Sequence, residues 1–331
     1  MRDVLIIGGG PAGLSAGVYC ARKMLDTLVI STNVGGQATW SWEVENYLGY
    51  QLITGVELVE RFREHLEQFP VELAEGTTVV SLARGDGGFV SRTDKKDEHS
   101  ARAVIVASGK VPRKLEVPGE EEYRGRGVVY CATCDAPLFR HKKVAVIGGG
   151  NSALDAALQL SSIAEKVTVV TSEPYLEGDE IRRKQLLALD AVEILTSARV
   201  TSIYGDNFVK GLALIHEGEE RGMDVEGVFI EIGSIPSTAF LPPEVELNET
   251  GEIVIDSNNR TSLPGLFAAG DVTNVAEKQI IIAAGEGAKA ALGAYSWLAE
   301  SGFLASRIVN GQANLPETSL EGKWKGKGVT P

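Results

Sequence analysis

Residues 4–17 read VLIIGGGPAGLSAG and residues 144–157 read VAVIGGGNSALDAA, so Gly8 and Gly148 head two copies of one pattern. Each copy is a short Val/Ile/Leu run, a glycine turn and a helix-forming stretch, which is the setting of a dinucleotide-binding fingerprint. In the first copy Gly8, Gly10 and Gly13 complete G-x-G-x-x-G around Pro11 and Ala12; in the second, Gly148, Gly150 and Ala153 give G-x-G-x-x-A. Such a turn lets a pyrophosphate approach bare backbone N–H groups at the positive end of a helix. Two copies predict an α/β chain with two Rossmann-like dinucleotide-binding domains.

The chain of 331 residues is long enough for two cores, and its 44% hydrophobic content is ordinary for a globular protein. With 45 acidic against 32 basic residues the net charge is -13. A surface of that sign repels a phosphate backbone, which argues against nucleic acid as a partner. The opening MRDVLIIGGG has too short an apolar run for a signal segment and is shaped like a first β-strand. The most apolar late stretch, beginning at Ile280, carries Glu286 and Lys289, which argues against a membrane span. A cytoplasmic protein is expected.

Prolines mark two boundaries, Pro112 and Pro118 with Gly119, and Pro236 with Pro242 and Pro243. The second fold therefore reads as inserted into the first, with segments 1–115 and 241–331 flanking an inserted domain at 116–240. Residues 192–232 alternate in strand fashion around Gly205, Asp206 and Gly218, predicting an antiparallel meander. In GVELVERFREHLEQF, Val56, Val59, Phe62, Leu66 and Phe69 recur at helical spacing and predict a core-facing helix. The last helix is expected to end near Ala299, with a glycine-rich tail from about 301 to 331.

Three cysteines are present, and Cys131 and Cys134 form one Cys-x-x-Cys. A dithiol of this spacing suits thiol–disulfide exchange, in which an exposed thiolate attacks and its neighbour resolves the mixed disulfide. A zinc site needs four ligands, and no second Cys/His pair stands at ligand spacing; His65, His99, His141 and His216 are scattered. Cys20 lies among Ala, Val and Tyr in the first predicted helix and reads as buried and inert.

At CATCD, residues 131–135, just before the second fingerprint, the sequence resembles the low-molecular-weight thioredoxin reductases. The resemblance covers nearly the whole chain. It includes Gly35-Gly36-Gln37, Val44-Glu45-Asn46-Tyr47, Ser108-Gly109, GLFAAGDV from Gly265 to Val272, and Lys278-Gln279 before an Ile/Ala/Gly-rich helix. The second half looks especially like the reductase module of alkyl hydroperoxide reductase flavoproteins.

The resemblance implies a homodimeric FAD enzyme with an NAD(P)-type domain carrying the dithiol and a thioredoxin-like protein as substrate. FAD would lie along Gly8, Gly10, Pro11, Ala12, Gly13, Gly35, Gly36, Gln37, Asn46, Ser108, Gly109, Gly270, Asp271, Gln279 and Ile280. Asp271 would bond its ribityl or phosphate portion, a role compatible with a helix N-cap. Cys134 would be the sulfur next to the flavin, Cys131 the interchange thiol, and Asp135 the acid or base, with a raised pKa expected. The acid expected on the FAD ribose is absent, since the strand LVIS ends in Ser31.

The pattern departs from the family where NADPH specificity is set. Members using NADPH carry a His-Arg-Arg cluster and a further Arg after the strand VTVV; here Thr171, Ser172, Glu173, Pro174, Tyr175, Leu176 and Glu177 follow. A 2′-phosphate would meet carboxylates in place of guanidinium forks. The family's G-x-x-P-N-T is also altered, to Gly233-Ser234-Ile235-Pro236-Ser237-Thr238. NADPH is expected to bind poorly, which leaves open another nicotinamide, ferredoxin or another carrier, a dithiol oxidase using oxygen, or a flavin-bound redox sensor. Trp324 in the tail is a candidate to stack on the flavin.

Overall fold

The computed structural model describes residues 1–41 and 43–303; Trp324 and the tail beyond Phe303 lie outside the described residues. The chain begins with β1 (Arg2–Gly9), α1 (Pro11–Arg22), β2 (Thr27–Val34) and α2 (Gly55–Leu66). Then come β3 (Glu72–Glu75), β4 (Val79–Gly85), β5 (Gly88–Thr93), β6 (Glu98–Val106) and β7 (Lys110–Pro112). The second unit holds β8 (Val128–Val129), α3 (Ala132–Asp135), β9 (Lys143–Ile147), α4 (Asn151–Ser161), β10 (Lys166–Val170) and α5 (Glu180–Leu187). It continues through β11 (Val192–Leu195), β12 (Ala198–Gly205), β13 (Val209–His216), β14 (Glu219–Asp224), β15 (Gly227–Ile230) and β16 (Ser234–Pro236). The chain then returns to the first sheet with β17 (Leu266–Ala268) and closes with α6 (Ile280–Glu300).

The first sheet runs β3-β2-β1-β6-β5-β4, with β17 parallel to β6. Its central strand is apolar on both faces because both are covered. Val4 and Ile6 face a cluster with Ala12, Ala16 and the α6 residues Ala290 and Ala294, whereas Leu5 and Ile7 face one with Val79, Leu82 and Val245. The second sheet, β11-β10-β9-β15-β8, repeats the logic. Val144 and Val146 pack under α4 against Ala153 and Leu154, while Ala145 and Ile147 meet Ile203, Leu212 and Leu214 of the meander. Phe139 and Phe229 meet edge-on in the first of these layers at 4.9 Å between ring centroids, an arrangement worth about 1 kcal/mol beyond its buried area.

Two expectations are corrected. The antiparallel meander is narrower than residues 192–232: only β12, β13 and β14 form it, because β11 and β15 are buried runs that join the parallel sheet. Val56 is 62% exposed. The inward stripe of α2 runs through Gly55, Leu58, Val59 and Leu66, with Phe62 half-buried beside it, and Val56 falls one residue off that stripe. The start of α2 is set by a capping box in which Thr54 Oγ1 accepts the Glu57 N–H and Glu57 accepts the Thr54 N–H.

No helix of the described residues is long and apolar enough to cross a membrane. In α6, Glu286 is buried and accepts hydrogen bonds from Asn259 Nδ2 at 2.5 Å and Lys289 Nζ at 3.0 Å. The two sheets are joined by the antiparallel ribbon β7–β16, where Ile235 pairs with Val111 and Pro236 with Lys110.

A candidate redox site between the two folds

A cavity of about 1050 Å³ runs from the first glycine turn to the dithiol. One end is the turn after β1. Gly8 has φ +114°, and a Cβ there would lie 2.2 Å from the Ala107 carbonyl oxygen, so only glycine lets the turn sit against the chain after β6. Gly10, at the N-cap of α1, is different: nothing lies within 4 Å of where its Cβ would point, and it lines the cavity. Ser31 accounts for the missing acid locally, because its Oγ accepts the Gly9 N–H at 2.8 Å and donates to the Asn33 carbonyl. The strand-end residue is engaged in shaping the turn.

Of the residues carried over from the resemblance, Gly8, Gly10, Pro11, Ala12, Gly36, Gln37, Ser108, Gly109, Gly270, Asp271, Gln279 and Ile280 line this cavity. Gly13 and Gly35 do not; Gly13 packs against the Gly8 carbonyl and Gly35 against Val59 and Thr39. Asn46 stands behind the wall, donating from Nδ2 to Gln279 Oε1 at 3.0 Å. Gln37 donates to the Lys110 carbonyl at 2.8 Å, and Ser108 Oγ to the Ser237 carbonyl at 2.8 Å. Asp271 is not a helix cap: the N-cap of α6 is Gln279, further along the chain. Its carboxyl lines the cavity, and burial pushes it above the usual range while Lys278 and Lys110 pull it down.

Those two lysines share a carboxylate that no sequence motif marks. Lys110 Nζ lies 2.5 Å and Lys278 Nζ 3.2 Å from Glu252 Oε1, and all three residues line the cavity. Burial pushes Glu252 up, but hydrogen bonds from Lys110, Asn248 and Lys278 outweigh it and carry the carboxyl down to about 2. Burial in turn lowers the Lys278 ammonium. Glu252 lies far in sequence from Lys110, so spacing along the chain gives no signal for the group.

The other end of the cavity is the dithiol. Cys131 and Cys134 are disulfide-bonded, with Cα atoms 5.4 Å apart, and both line the cavity with Asp135. The pair opens α3: Cys131 is its N-cap, and its Sγ accepts the Cys134 N–H at 3.2 Å. Asp135 is 7% exposed, and burial raises its carboxyl to about 7. A carboxyl poised there exchanges protons readily at neutral pH. Cys20 is fully buried, and burial pushes its thiol up to about 12. Among the described residues no group of three or more His, Cys, Asp or Glu stands together to hold a metal.

Three further residues hold the two folds against each other. Arg124 lies over the Trp40 ring at 4.7 Å, and Trp40 and Tyr130 are 6.4 Å apart between centroids. Tyr130 OH donates to the buried Glu120 at 2.8 Å. Trp40 belongs to the first fold and its two partners to the second, so sequence spacing carries no sign of the contact.

A cavity walled by a glycine turn at one end and a Cys-x-x-Cys disulfide at the other is the arrangement of the dinucleotide-binding disulfide oxidoreductase class. The family comparison agrees: residues 2–287 match the pyridine nucleotide-disulphide oxidoreductase model. The chain belongs to that family, in its thioredoxin reductase-like branch of FAD enzymes. It is 41% identical over 298 residues to the F component of alkyl hydroperoxide reductase from Staphylococcus aureus (strain MRSA252), covering 89% of this chain and 59% of that protein. The chain thus spans little more than half the length of that relative. Thioredoxin reductase from Streptococcus pyogenes MGAS5005 superposes with a TM-score of 0.86 at 37% identity, covering 91% of this chain and 99% of that one. Thioredoxin reductase from Lactococcus lactis in its FR conformation is 36% identical over 91% of this chain and 100% of its own, yet the TM-score is 0.63. Coverage and identity are nearly the same for the two, while the score is lower for the second.

Proposed function

We propose that the protein carries electrons from a donor through FAD to the Cys131–Cys134 disulfide and on to a thioredoxin-like protein. The observation that carries this reading is the single cavity holding the glycine turn, Asp271, both cysteines and Asp135. Gly10 and the α1 N-terminus would hold the pyrophosphate, Asp271 and Gln279 the middle of the cofactor, and Cys134 would stand next to its ring system. The cavity fits the group: it is long and open over Gly10, and Asp271 presents its carboxyl into it. When bound, FAD supplies the passage of two electrons from the donor to the disulfide.

The protein's own steps are thiol chemistry. Two electrons and two protons open the Cys131–Cys134 bond to two thiols, with Asp135 supplying a proton to the Cys134 sulfur. Cys131 Sγ, as thiolate, then attacks the partner's disulfide, forming a mixed disulfide and releasing one partner thiolate. Cys134 Sγ attacks that mixed disulfide, re-forms the Cys131–Cys134 bond and frees the reduced partner. Asp135, near neutrality, takes up the proton that Cys134 gives up.

Both cysteines face the cavity in this arrangement, so a protein substrate needs the second fold to turn about the β7–β16 ribbon. The difference in TM-score between the two thioredoxin reductases supports such a motion.

We infer a donor other than NADPH, because the residues after β10 suit a 2′-phosphate poorly. Thr171, just after β10, is buried, and its Oγ1 accepts the Glu173 N–H at 3.2 Å. The nearby cations are engaged: Arg182 with Asp155 at 2.9 Å, Lys184 with Glu180 at 2.7 Å, and Arg183 with the Leu176 carbonyl at 3.1 Å. No guanidinium fork is presented to a 2′-phosphate by residues 171–177. Anaerobic titration with NADPH, NADH and reduced ferredoxin, following flavin absorbance, tests the donor: bleaching by NADPH at stoichiometric amounts refutes this part. Cys131→Ser tests the dithiol, since reduction of thioredoxin is lost with FAD retained; full activity in that variant refutes the role of Cys131.

A further inference from the structure

Glu231 follows the last residue of β15, at the point where the strand order of the second sheet reverses between β9 and β15. Ligands of open α/β sheets gather at such a point. The glycine turn of the second fold packs directly on it, since a Cβ at Gly148 would lie 2.3 Å from the Glu231 carbonyl oxygen. The side chain reaches the start of α3. Glu231 Oε1 accepts the Ala132 N–H at 3.3 Å, the first amide of the helix that Cys131 caps. Glu231 also lines the cavity with Cys131, Cys134 and Asp135.

The charged groups around it are few. Asp155 of α4 acts on it through space and is itself paired with Arg182; Asp135 is on α3; and Arg113 lies beside Gly233, with Cδ 3.9 Å from where a Gly233 Cβ would sit. No cation among the described residues is paired with Glu231. A backbone N–H that reaches a cysteine sulfur favours its thiolate once the disulfide is opened, and the Cys134 N–H reaches Cys131 Sγ at 3.2 Å. A carboxylate that takes the neighbouring Ala132 N–H adds a negative charge at the start of α3, next to Cys131.

We propose that Glu231 is a positioning residue of the dithiol, which through the Ala132 N–H holds the first turn of α3 and sets how readily Cys131 and Cys134 lose their protons. The inference rests on the redox reading of that pair. Burial raises the Glu231 carboxyl to about 7, with Asp155 adding to the rise and the Ala132 N–H opposing it. Glu231 is therefore neutral in mildly acidic solution and charged above neutrality, where as an anion it disfavours the thiolate.

The test is a thiolate titration by absorbance near 240 nm on the FAD-loaded full chain reduced with a phosphine, with the Cys131→Ser/Cys134→Ser double variant as the background. Cys20 is silent in the working range because burial holds its thiol up at about 12. Glu231→Gln keeps an acceptor for Ala132 and removes the charge. The expected result is a downward shift of the dithiol titration by about one pH unit, with FAD content unchanged. Ala132→Pro is the second variant, since proline is tolerated at the first helical position and Cys131 is already extended (φ -145°, ψ 100°). It deletes the N–H and leaves both carboxyls in the chain, so a displacement of the dithiol titration in either direction reads the Ala132–Glu231 contact. Titrations of both variants superimposing on the wild type overturn the inference. Because the reduced thiols titrate whether or not the pair turns over, that outcome is distinct from failure of the redox reading, which shows as retained activity in Cys131→Ser.

Discussion

The guanidinium of Arg124, on the chain leading into β8, lies 4.7 Å over the ring of Trp40, on the chain leaving β2. With Tyr130 at 6.4 Å from the same ring, this contact closes the two folds over the cavity beside the dithiol. A cation–π contact at such a half-exposed site is worth about 0.5–2 kcal/mol. Trp40→Ala is expected to move the balance between the closed and turned arrangements by about 2- to 30-fold toward the turned one. Small-angle scattering of the oxidised protein at moderate salt checks it; an unchanged profile removes Trp40 as a clasp.

Asp135 links activity to stability through its proton. Its folded carboxyl titrates near 7, against an ordinary value of 3.8 for the free side chain. A raised carboxyl means that the folded state holds the proton more tightly, so stability is fullest below about pH 4 on this account and falls as pH climbs toward 7. Asp135→Asn removes that loss and is expected to be more stable than the wild type at pH 8, by a few kcal/mol, with no such advantage near pH 4. Its thioredoxin reduction falls by about 10²- to 10⁴-fold. Paired thermal melts at the two pH values decide it, equal differences at both counting against the assignment.

Glu252 works with the opposite sign. Its folded carboxyl sits near 2, so its contribution is present above about 4.5 and disappears as pH falls toward 2. Glu252→Gln leaves Lys110 and Lys278 without their shared carboxylate in the solvent-open cavity wall and is expected to cost about 1–3 kcal/mol at pH 7. Urea unfolding at pH 7 reads the loss directly; less than about 1 kcal/mol would show that solvent or cofactor replaces the carboxylate.

The first glycine turn separates folding from cofactor binding. Gly8→Ala places a Cβ against the Ala107 carbonyl at a φ of +114° and should prevent soluble expression. Gly10→Ala meets nothing within 4 Å in the protein and puts its methyl into the cavity. Its apoprotein should melt together with the wild-type apoprotein, with FAD affinity lowered about tenfold or more. An equal affinity by fluorescence titration would move the pyrophosphate elsewhere.

Periodicity and local motifs carry much of the architecture. The paired VLIIGGGPAGLSAG and VAVIGGGNSALDAA segments announce two strand–turn–helix units because a dinucleotide turn is a local structure whose requirements fall within about ten residues. Cys131, Cys134 and Asp135 are legible for the same reason: their chemistry needs only near neighbours. Val56 escapes the helical reading because one residue of phase separates the stripe from the solvent face, and Asp271 escapes it because a short polar residue near a helix resembles a cap wherever it sits.

The relationships that only the tertiary structure decides join residues far apart in the chain. Glu252 reaches Lys110 across the whole of the second fold, Glu231 reaches Ala132 across ninety-nine residues, and Trp40 meets Arg124 across a sheet-to-sheet boundary. Burial decides their chemistry as well. The same carboxyl group titrates near 2 at Glu252, where two ammonium groups face it, and near 7 at Glu231, where an amide is its partner and a second carboxylate acts on it. Residue type names the group that can ionise, and the folded surroundings, by removing water and supplying or withholding an opposite charge, set the pH at which it does.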